Sequence, residues 1–360
     1  MKILVAPDSF KGSLSAREVA TALSRGINAA PSPHTVVEMP LADGGEGSLD
    51  VVVQAGFVRH SVNTVDSWGA PLVASYGLQD GHVFIEAAEA FGFIPGATQQ
   101  QARSASSFGL GVLIKEALGH NPHTITLGVG GTSGTDGGAG MASALGWTFV
   151  DHNTNPVPPG GEGLVSLTRV IAPVEPLTSY PVQWRVLTDV TNPLVGKTGA
   201  AMVFAPQKGA DDASVGVLAE GLETLAQRVD PVLATHPGTG AGGGLSFGAM
   251  AFLGATQSSG AHALMSMVGF SDALASADLV VTGEGSFDEQ SLLGKTTGVV
   301  IEEAERLGVP VVVVCGATSF TTPPDGVVVK TLVDRAKNVE DAIARVTELL
   351  RDVGHELAET

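Results

Sequence analysis

Cysteine is nearly absent from this chain: Cys315 is the only one in 360 residues. No internal disulfide and no multi-cysteine metal site can form. Cys315 follows Val311-Val312-Val313-Val314, the setting of a buried thiol at a strand end. Basic residues are scarce as well, with 19 Lys and Arg against 37 Asp and Glu and a formal net charge of -18. That balance argues against nucleic acid or an anionic membrane surface as partner. Aromatic residues make up only 5%. No apolar run approaches the roughly 20 residues that span a bilayer. Near the N-terminus Lys2 and a short apolar run lead straight into Pro7-Asp8, which is no signal peptide. A soluble, cytoplasmic protein is expected. His-Glu-x-x-His and Gly-x-Ser-x-Gly are missing, and the nine His are scattered.

What is present is aliphatic and rich in glycine, with 44% hydrophobic residues and 47 Gly without a collagen period. A length of 360 residues suits two domains. Ile3 to Ala6 reads as a buried strand, and Ser15 with Glu18 forms a capping box before a helix with Val19, Ala22, Leu23 and Ile27 on one face. A strand over Thr35 to Met39 and a helix over Ser48 to Gln54 complete a βαβα opening. The last third repeats that character. Strands are expected over Asp278–Thr282, Val309–Cys315 and Val327–Lys330. Thr296 to Leu307 is a helix closed by Gly308. Asn338 should cap one final helix with Val339, Ala342, Ile343, Val346 and Leu350 inward. The middle differs, with paired short strands over 62–90. The expected class is α/β: a Rossmann-like doubly wound domain built from residues 1–66 and 260–360, with a second α/β domain, 67–259, inserted.

Six apolar runs empty into loops of Gly, an acid and often a Lys. They are Asp8–Ser13, Ala42–Gly47, Gly128–Gly138, Thr188–Thr198, Gly238–Gly244 and Thr282–Asp288, the last running on to Gly294-Lys295-Thr296. Ligands of open α/β sheets bind at the carboxyl ends of the strands. Glycines let backbone N–H groups approach phosphate, carboxylates hold Mg²⁺, and lysines neutralise phosphate oxygens. Together the loops point to ATP and Mg²⁺ beside a small substrate. Neither Gly196-Lys197-Thr198 nor Gly294-Lys295-Thr296 is a P-loop, because Thr191 and Glu289 stand where that motif needs its first Gly. An ordinary N-cap by Thr competes with anion binding at both. The Gly128 loop follows a strand and precedes a helix, which makes a nicotinamide-dependent oxidoreductase one alternative reading; a kinase of a related small hydroxy acid is another.

The blocks Ala6-Pro7-Asp8-Ser9-Phe10-Lys11-Gly12-Ser13, Ala42-Asp43-Gly44-Gly45-Glu46-Gly47, Asp189-Val190-Thr191-Asn192-Pro193-Leu194 and Thr282-Gly283-Glu284-Gly285-Ser286-Phe287-Asp288-Glu289-Gln290-Ser291, with Gly294-Lys295, resemble the bacterial glycerate kinase family, the type that makes 2-phosphoglycerate. The chain departs from that pattern at Thr135, at Ser106–Gly111 and at Thr297. The resemblance implies ATP, Mg²⁺ and D-glycerate, and an active site in a cleft between two α/β domains. By that pattern Asp8, Ser9, Lys11, Asp43, Asp189, Asn192, Glu284 and Asp288 belong to the substrate and phosphate end; our own reading of the roles gives Asp8, Ser9, Asp43 and Asn192 to the substrate, Lys11 to the phosphate and Glu284 and Asp288 to the metal. On this reading Asp189 takes the proton of the substrate hydroxyl, and Lys11 or Lys295 balances phosphoryl charge. Arg103 and Gly240 are candidates for the substrate carboxylate, and Gly130, Gly131, Asp136 and Gly242 for the nucleotide. A homo-oligomer stays open.

Overall fold

Runs such as Ile3–Ala6 and Val311–Val314 have no polar alternation, so a sheet that contains them must be covered on both faces. The computed structural model describes residues 1–31, 33–177 and 181–359. In chain order the strands are β1 (Lys2–Val5), β2 (Thr35–Glu38), β3 (Val58–Val65), β4 (Pro71–Gln79), β5 (His82–Glu86), β6 (Thr124–Gly128) and β7 (Thr148–Val150), then β8 (Arg169–Ile171), β9 (Gln183–Leu187), β10 (Thr256–Ser258), β11 (Leu279–Phe287), β12 (Val311–Thr318) and β13 (Val327–Thr331). Two compact units emerge. The first takes residues 1–43, 50–55 and 259 onward; the second takes 44–49 and 56–258.

In the first unit five parallel strands run in the order β13-β12-β11-β1-β2. This is a doubly wound sheet whose strand order reverses between β1 and β11, the switch point where such folds bind ligands. Alternate residues of β1 feed opposite layers, Ile3 and Val5 one way and Leu4 and Ala6 the other. Helix Ala16–Ala29 begins at the capping box, where Glu18 Oε2 accepts from Ser15 N at 2.9 Å. It packs Val19, Leu23 and Ile27 beside Leu350 and Val353 of helix Val346–Ala358. Their backbones meet at Gly26 and Gly354, where any Cβ would overlap a carbonyl of the facing helix.

Two expectations change here. Residues 282–287 are not loop: β11 continues through Phe287, paired with β12 as far as Thr318. Gly283 lies flush on Val314, where a side chain would strike the Val314 carbonyl, so glycine serves close pairing and not a turn. The final helix also breaks at Arg345. Asn338 Oδ1 does accept from Asp341 N, at 2.8 Å, but the capped helix is only Val339–Ala344, and Val346–Ala358 follows as a second one. Ala342, Val346 and Leu350 are buried, whereas Val339 and Ile343 are 54% and 53% exposed.

The second unit has a six-stranded sheet in the order β10-β9-β6-β5-β4-β3, parallel from β10 to β5 and antiparallel from β5 to β3. The break expected near residue 66 therefore comes earlier, since β3 pairs with β4 from Val58 to Val65. Helix Phe108–Leu118 contributes Leu110, Leu113 and Ile114 to a core with Ile85, Leu127 and Val186. Among the described residues no helix is long and apolar enough to cross a membrane.

Candidate active site

The loop after β1 is pinned at the switch point, because Asp8 N donates to Gly283 O at 2.8 Å. A tight turn follows. Ser13 N and Leu14 N both donate to Phe10 O, at 2.8 and 3.0 Å, and Gly12 takes a φ of 78° that side chains resist. The turn leaves Lys11, Gly12 and Ser13 exposed at its tip. Beneath it passes Gly285 of β11, where an added Cβ would sit 3.6 Å from Lys11 N. Glu284 and Ser286 flank that glycine. Beyond the strand, Asp288 Oδ1 accepts from Gln290 N at 2.8 Å and Ser291 N at 3.2 Å, which closes a short 3₁₀ turn. Lys295 then stands at the head of helix Thr296–Leu307, whose N-terminus carries no side-chain cap. The helix starts with Thr296 already inside it, so neither Thr296 nor Thr297 is the cap that the sequence allowed. A 12-residue helix with an uncapped end presents free N–H groups and a positive dipole end, which suits a phosphate.

These pieces border one cavity of about 420 Å³. Asp8, Ser9, Lys11, Asp43, Glu284, Asp288 and Lys295 all line it, so seven expected site residues meet in the first unit. Burial pushes the Asp8 carboxyl up to about 7, the neighbouring Asp43 charge adds to this, and Thr296, Ser9 N and Lys11 pull it back. Glu284 is raised chiefly by burial and eased by Thr297, Ser291 and Lys295. Glu284 Oε1, Thr296 Oγ1 and Thr297 Oγ1 are buried without an aligned hydrogen bond. A cavity with raised carboxyls and unaligned hydroxyls is set up for a cationic or donor-rich occupant. Its oxygen donors suit Mg²⁺. No three acidic, His or Cys groups form a ready cation cage among the described residues.

The second unit holds the other expected residues in different roles. Asp189 lies half-buried in the loop after β9. Asn192 holds that loop, since its Nδ2 donates to Thr198 O at 2.9 Å and its carbonyl accepts from Gly240 N at 2.9 Å. Gly240 has no room for a side chain against the Pro193 carbonyl. Arg103 is committed elsewhere, with Nε 3.4 Å from Glu162 and NH2 donating to Gln100 at 2.8 Å, so it is not the substrate anchor that was expected. Asp136 is corrected as well. It is buried and accepts from Ser107 N and Oγ, both at 2.8 Å, and from Gly138 N and Gly140 N at 3.0 and 3.1 Å, which ties the Gly128–Gly138 loop together. Gly130 abuts Gly45, where a Cβ would come within 2.7 Å of its Cα, and Gly242 abuts Val129 O at 2.7 Å. Gly131 and Gly242 take φ of 68° and 63°. Gly128, Gly130, Gly138, Gly240, Gly242 and Gly243 lie against backbone, and Gly134, Gly137, Gly238 and Gly244 against side chains, so most glycines of both loops serve packing, which weakens the oxidoreductase reading.

One residue of this unit escaped sequence reasoning, and another was marked only as a lysine beside Gly in a loop. Lys208 is buried, and its Nζ donates to Gly134 O at 2.6 Å and Thr132 Oγ1 at 3.3 Å. Burial lowers its ammonium to about 7, with Asp136 opposing. Only the following Gly209 marked it in the sequence. Glu86 ends β5 and accepts from Gly47 N at 3.1 Å and Leu49 N at 2.9 Å, which anchors the Gly44–Gly47 loop. Nothing in the sequence distinguished it from an ordinary strand-end acid.

A doubly wound sheet with carboxylates, lysines and an uncapped helix end at its switch point has the parts of a phosphate-handling α/β enzyme. The glycerate kinase family profile matches residues 3–360. A glycerate 2-kinase of Escherichia coli strain K12 is 38% identical over 362 residues, 98% of this chain and 93% of that one. A glycerate kinase of Halalkalibacterium halodurans is 37% identical over 325 residues, 88% of this chain and 85% of that one. A crystal structure from Salmonella typhimurium LT2, assigned as a glycerate kinase 2, has a TM-score of 0.80 at 34% identity and covers 100% of this chain and 97% of its own. The chain belongs to the glycerate kinase family.

Proposed function

We propose that this chain transfers the γ-phosphoryl group of ATP to the 2-hydroxyl of D-glycerate. The observation that carries the reading is the first unit's cavity, where Asp8, Asp43, Glu284 and Asp288 meet Lys11, Lys295 and a helix N-terminus. Phosphoryl transfer needs these parts and no covalent nucleophile. The full-length match to a relative named glycerate 2-kinase supports the acceptor and its position.

Glu284 and Asp288 would hold Mg²⁺, which supplies charge neutralisation at the phosphate oxygens. Asp288 keeps one oxygen for its turn, so only Oδ2 is available to a metal. Lys11, exposed at its turn tip, meets the phosphoryl oxygens as charge builds on them. Lys295 and the first-turn N–H groups of helix Thr296–Leu307 hold the remaining phosphate. Asp189 accepts the proton of the glycerate hydroxyl. A second reading gives that proton to Asp8, because a carboxyl raised to about 7 is matched to base catalysis near neutrality. Turnover and ATP binding of Asp189→Asn beside Asp8→Asn separate the two. The base variant loses turnover and keeps ATP. If both keep parent turnover, both assignments fail.

A further inference from the structure

Much of the first unit's cavity wall can take no part in phosphate chemistry. Leu332 and Val333 follow β13, and Val339 and Ile343 stand on helix Val339–Ala344. More than half of each of the latter two side chains is open to solvent. The fold does not force that exposure. Ala342 and Val346 already fill the inward face of this segment, packed with Leu332 and Leu350. Val339, Ala342, Ile343 and Val346 of this segment follow the i, i+3, i+4, i+7 spacing of one apolar stripe; the stripe borders the cavity, and its Val339 and Ile343 edge is left open.

Side-chain hydrogen-bonding capacity is missing from this wall. Its four side chains are aliphatic, and part of the neighbouring backbone is already paired. Leu332 N donates to Cys315 O at 2.9 Å, while Leu332 O and Val333 O accept from Arg335 N and Ala336 N at 3.0 and 3.2 Å. The sheet order puts β13 three strand spacings from β1, or ~14 Å across the sheet. The carboxylates and lysines cluster near β1 and β11, and the apolar wall stands beyond β12. One cavity therefore has a charged end and an apolar end separated by the reach of an extended nucleoside triphosphate.

We propose that Leu332, Val333, Val339 and Ile343 form the nucleobase seat, which grips the base by area and not by its hydrogen-bonding edge. The proposal rests on the reading that this cavity takes the phosphoryl donor. It adds that donor choice is weak. A site that reads hydrogen bonds rejects a wrong partner by about 10⁴–10⁵, whereas apolar pockets separate close analogues by only about 10–200-fold. Purines and pyrimidines bring similar flat surfaces to an aliphatic wall.

The test is calorimetric binding to the whole chain with Mg²⁺, using ATP, GTP, CTP and inorganic tripolyphosphate as probes. Ile343→Asp and Val339→Asp, both at exposed positions, should bind ATP about tenfold or more weakly than the parent, and Ile343→Ala should show a smaller loss in the same direction. Tripolyphosphate has the phosphates without the base, so its affinity should be unchanged in the neutral variant and change less than that of ATP in the charged ones. GTP and CTP should bind the parent within about tenfold of ATP. ATP affinity indifferent to all three substitutions, or a preference for ATP above about 10³, overturns the proposal. Turnover of D-glycerate is measured separately. ATP binding that depends on Ile343 without glycerate phosphorylation supports the seat and sinks the kinase reading. Phosphorylation with ATP affinity indifferent to Ile343 does the reverse.

Discussion

Asp8 and Lys11 are three residues apart and have opposite relations to water, and that difference predicts opposite consequences of mutation. Lys11 sits exposed at a turn tip and carries no packing. Lys11→Ala should leave the melting temperature unchanged and lower turnover about 10²–10³-fold, the cost of one charge-assisted contact made in the transition state. Unchanged turnover would leave Lys11 as a solvent-facing residue. Asp8 is held up at about 7 against an ordinary value of 3.8. Between those values the folded chain binds a proton that the unfolded chain has released, so Asp8 lowers stability as pH rises through about 4 to 7. Asp8→Asn removes that dependence. Its melting temperature relative to the parent should climb across this window and level off above pH 7, as thermal scans at several pH values would show. A constant difference would mean that the Asp8 carboxyl is not raised. Both residues could be picked out in the sequence as members of an acid-and-lysine loop. Their electrostatics could not, because the raised carboxyl depends first on burial in the folded chain and then on Asp43, some 35 positions away.

Glycines illustrate what holds these loops as elements. Gly12 is at φ 78° with nothing within 4 Å of an added Cβ, whereas Gly243 combines φ 69° with a Cβ that would overlap Gly134 O. Gly12→Ala should cost about 1–2 kcal/mol, the left-handed penalty alone. Gly243→Ala must also displace the Gly128–Gly138 backbone and should cost at least about 3 kcal/mol or fail to fold. Equal losses in urea unfolding would show that Gly243 is not packed as described. In the sequence the Gly238 run reads as a phosphate or substrate loop or a tight turn, yet Gly242, Gly243 and Gly244 pack against a segment about 100 residues earlier, which periodicity cannot reveal. Local signals fared better. The Ser15–Glu18 box, the Gly308 stop and the Asn338 cap each depend on neighbours within four residues, and each stands where the sequence placed it. The extension of β11 to Phe287 is a tertiary outcome, set by pairing with β12, and the break at Arg345 has no signal among its neighbours in the sequence.

At the scale of the whole molecule, family membership was legible because several long blocks recur in order from the first strand to the last third. The unit boundary near residue 66 was read ten residues late, because β3 has the polar alternation of an edge strand and the Trp68-Gly69 turn after it reads more strongly than the single Gly56 just before it. Asp189 belongs to the second unit and was carried over by resemblance. Asp189→Asn should keep ATP affinity near the parent value and lower turnover about 10²–10⁴-fold, because Asn keeps the shape but cannot take a proton. Joint loss of ATP binding and turnover would make Asp189 a metal ligand instead. The reaction itself is tested most directly by incubating the whole chain with ATP, Mg²⁺ and D-glycerate and locating the new phosphate by ³¹P and ¹³C NMR. The expected result is ADP and 2-phosphoglycerate in equal amounts. ADP without a phosphorylated glycerate, or phosphate on the 3-hydroxyl, would contradict it.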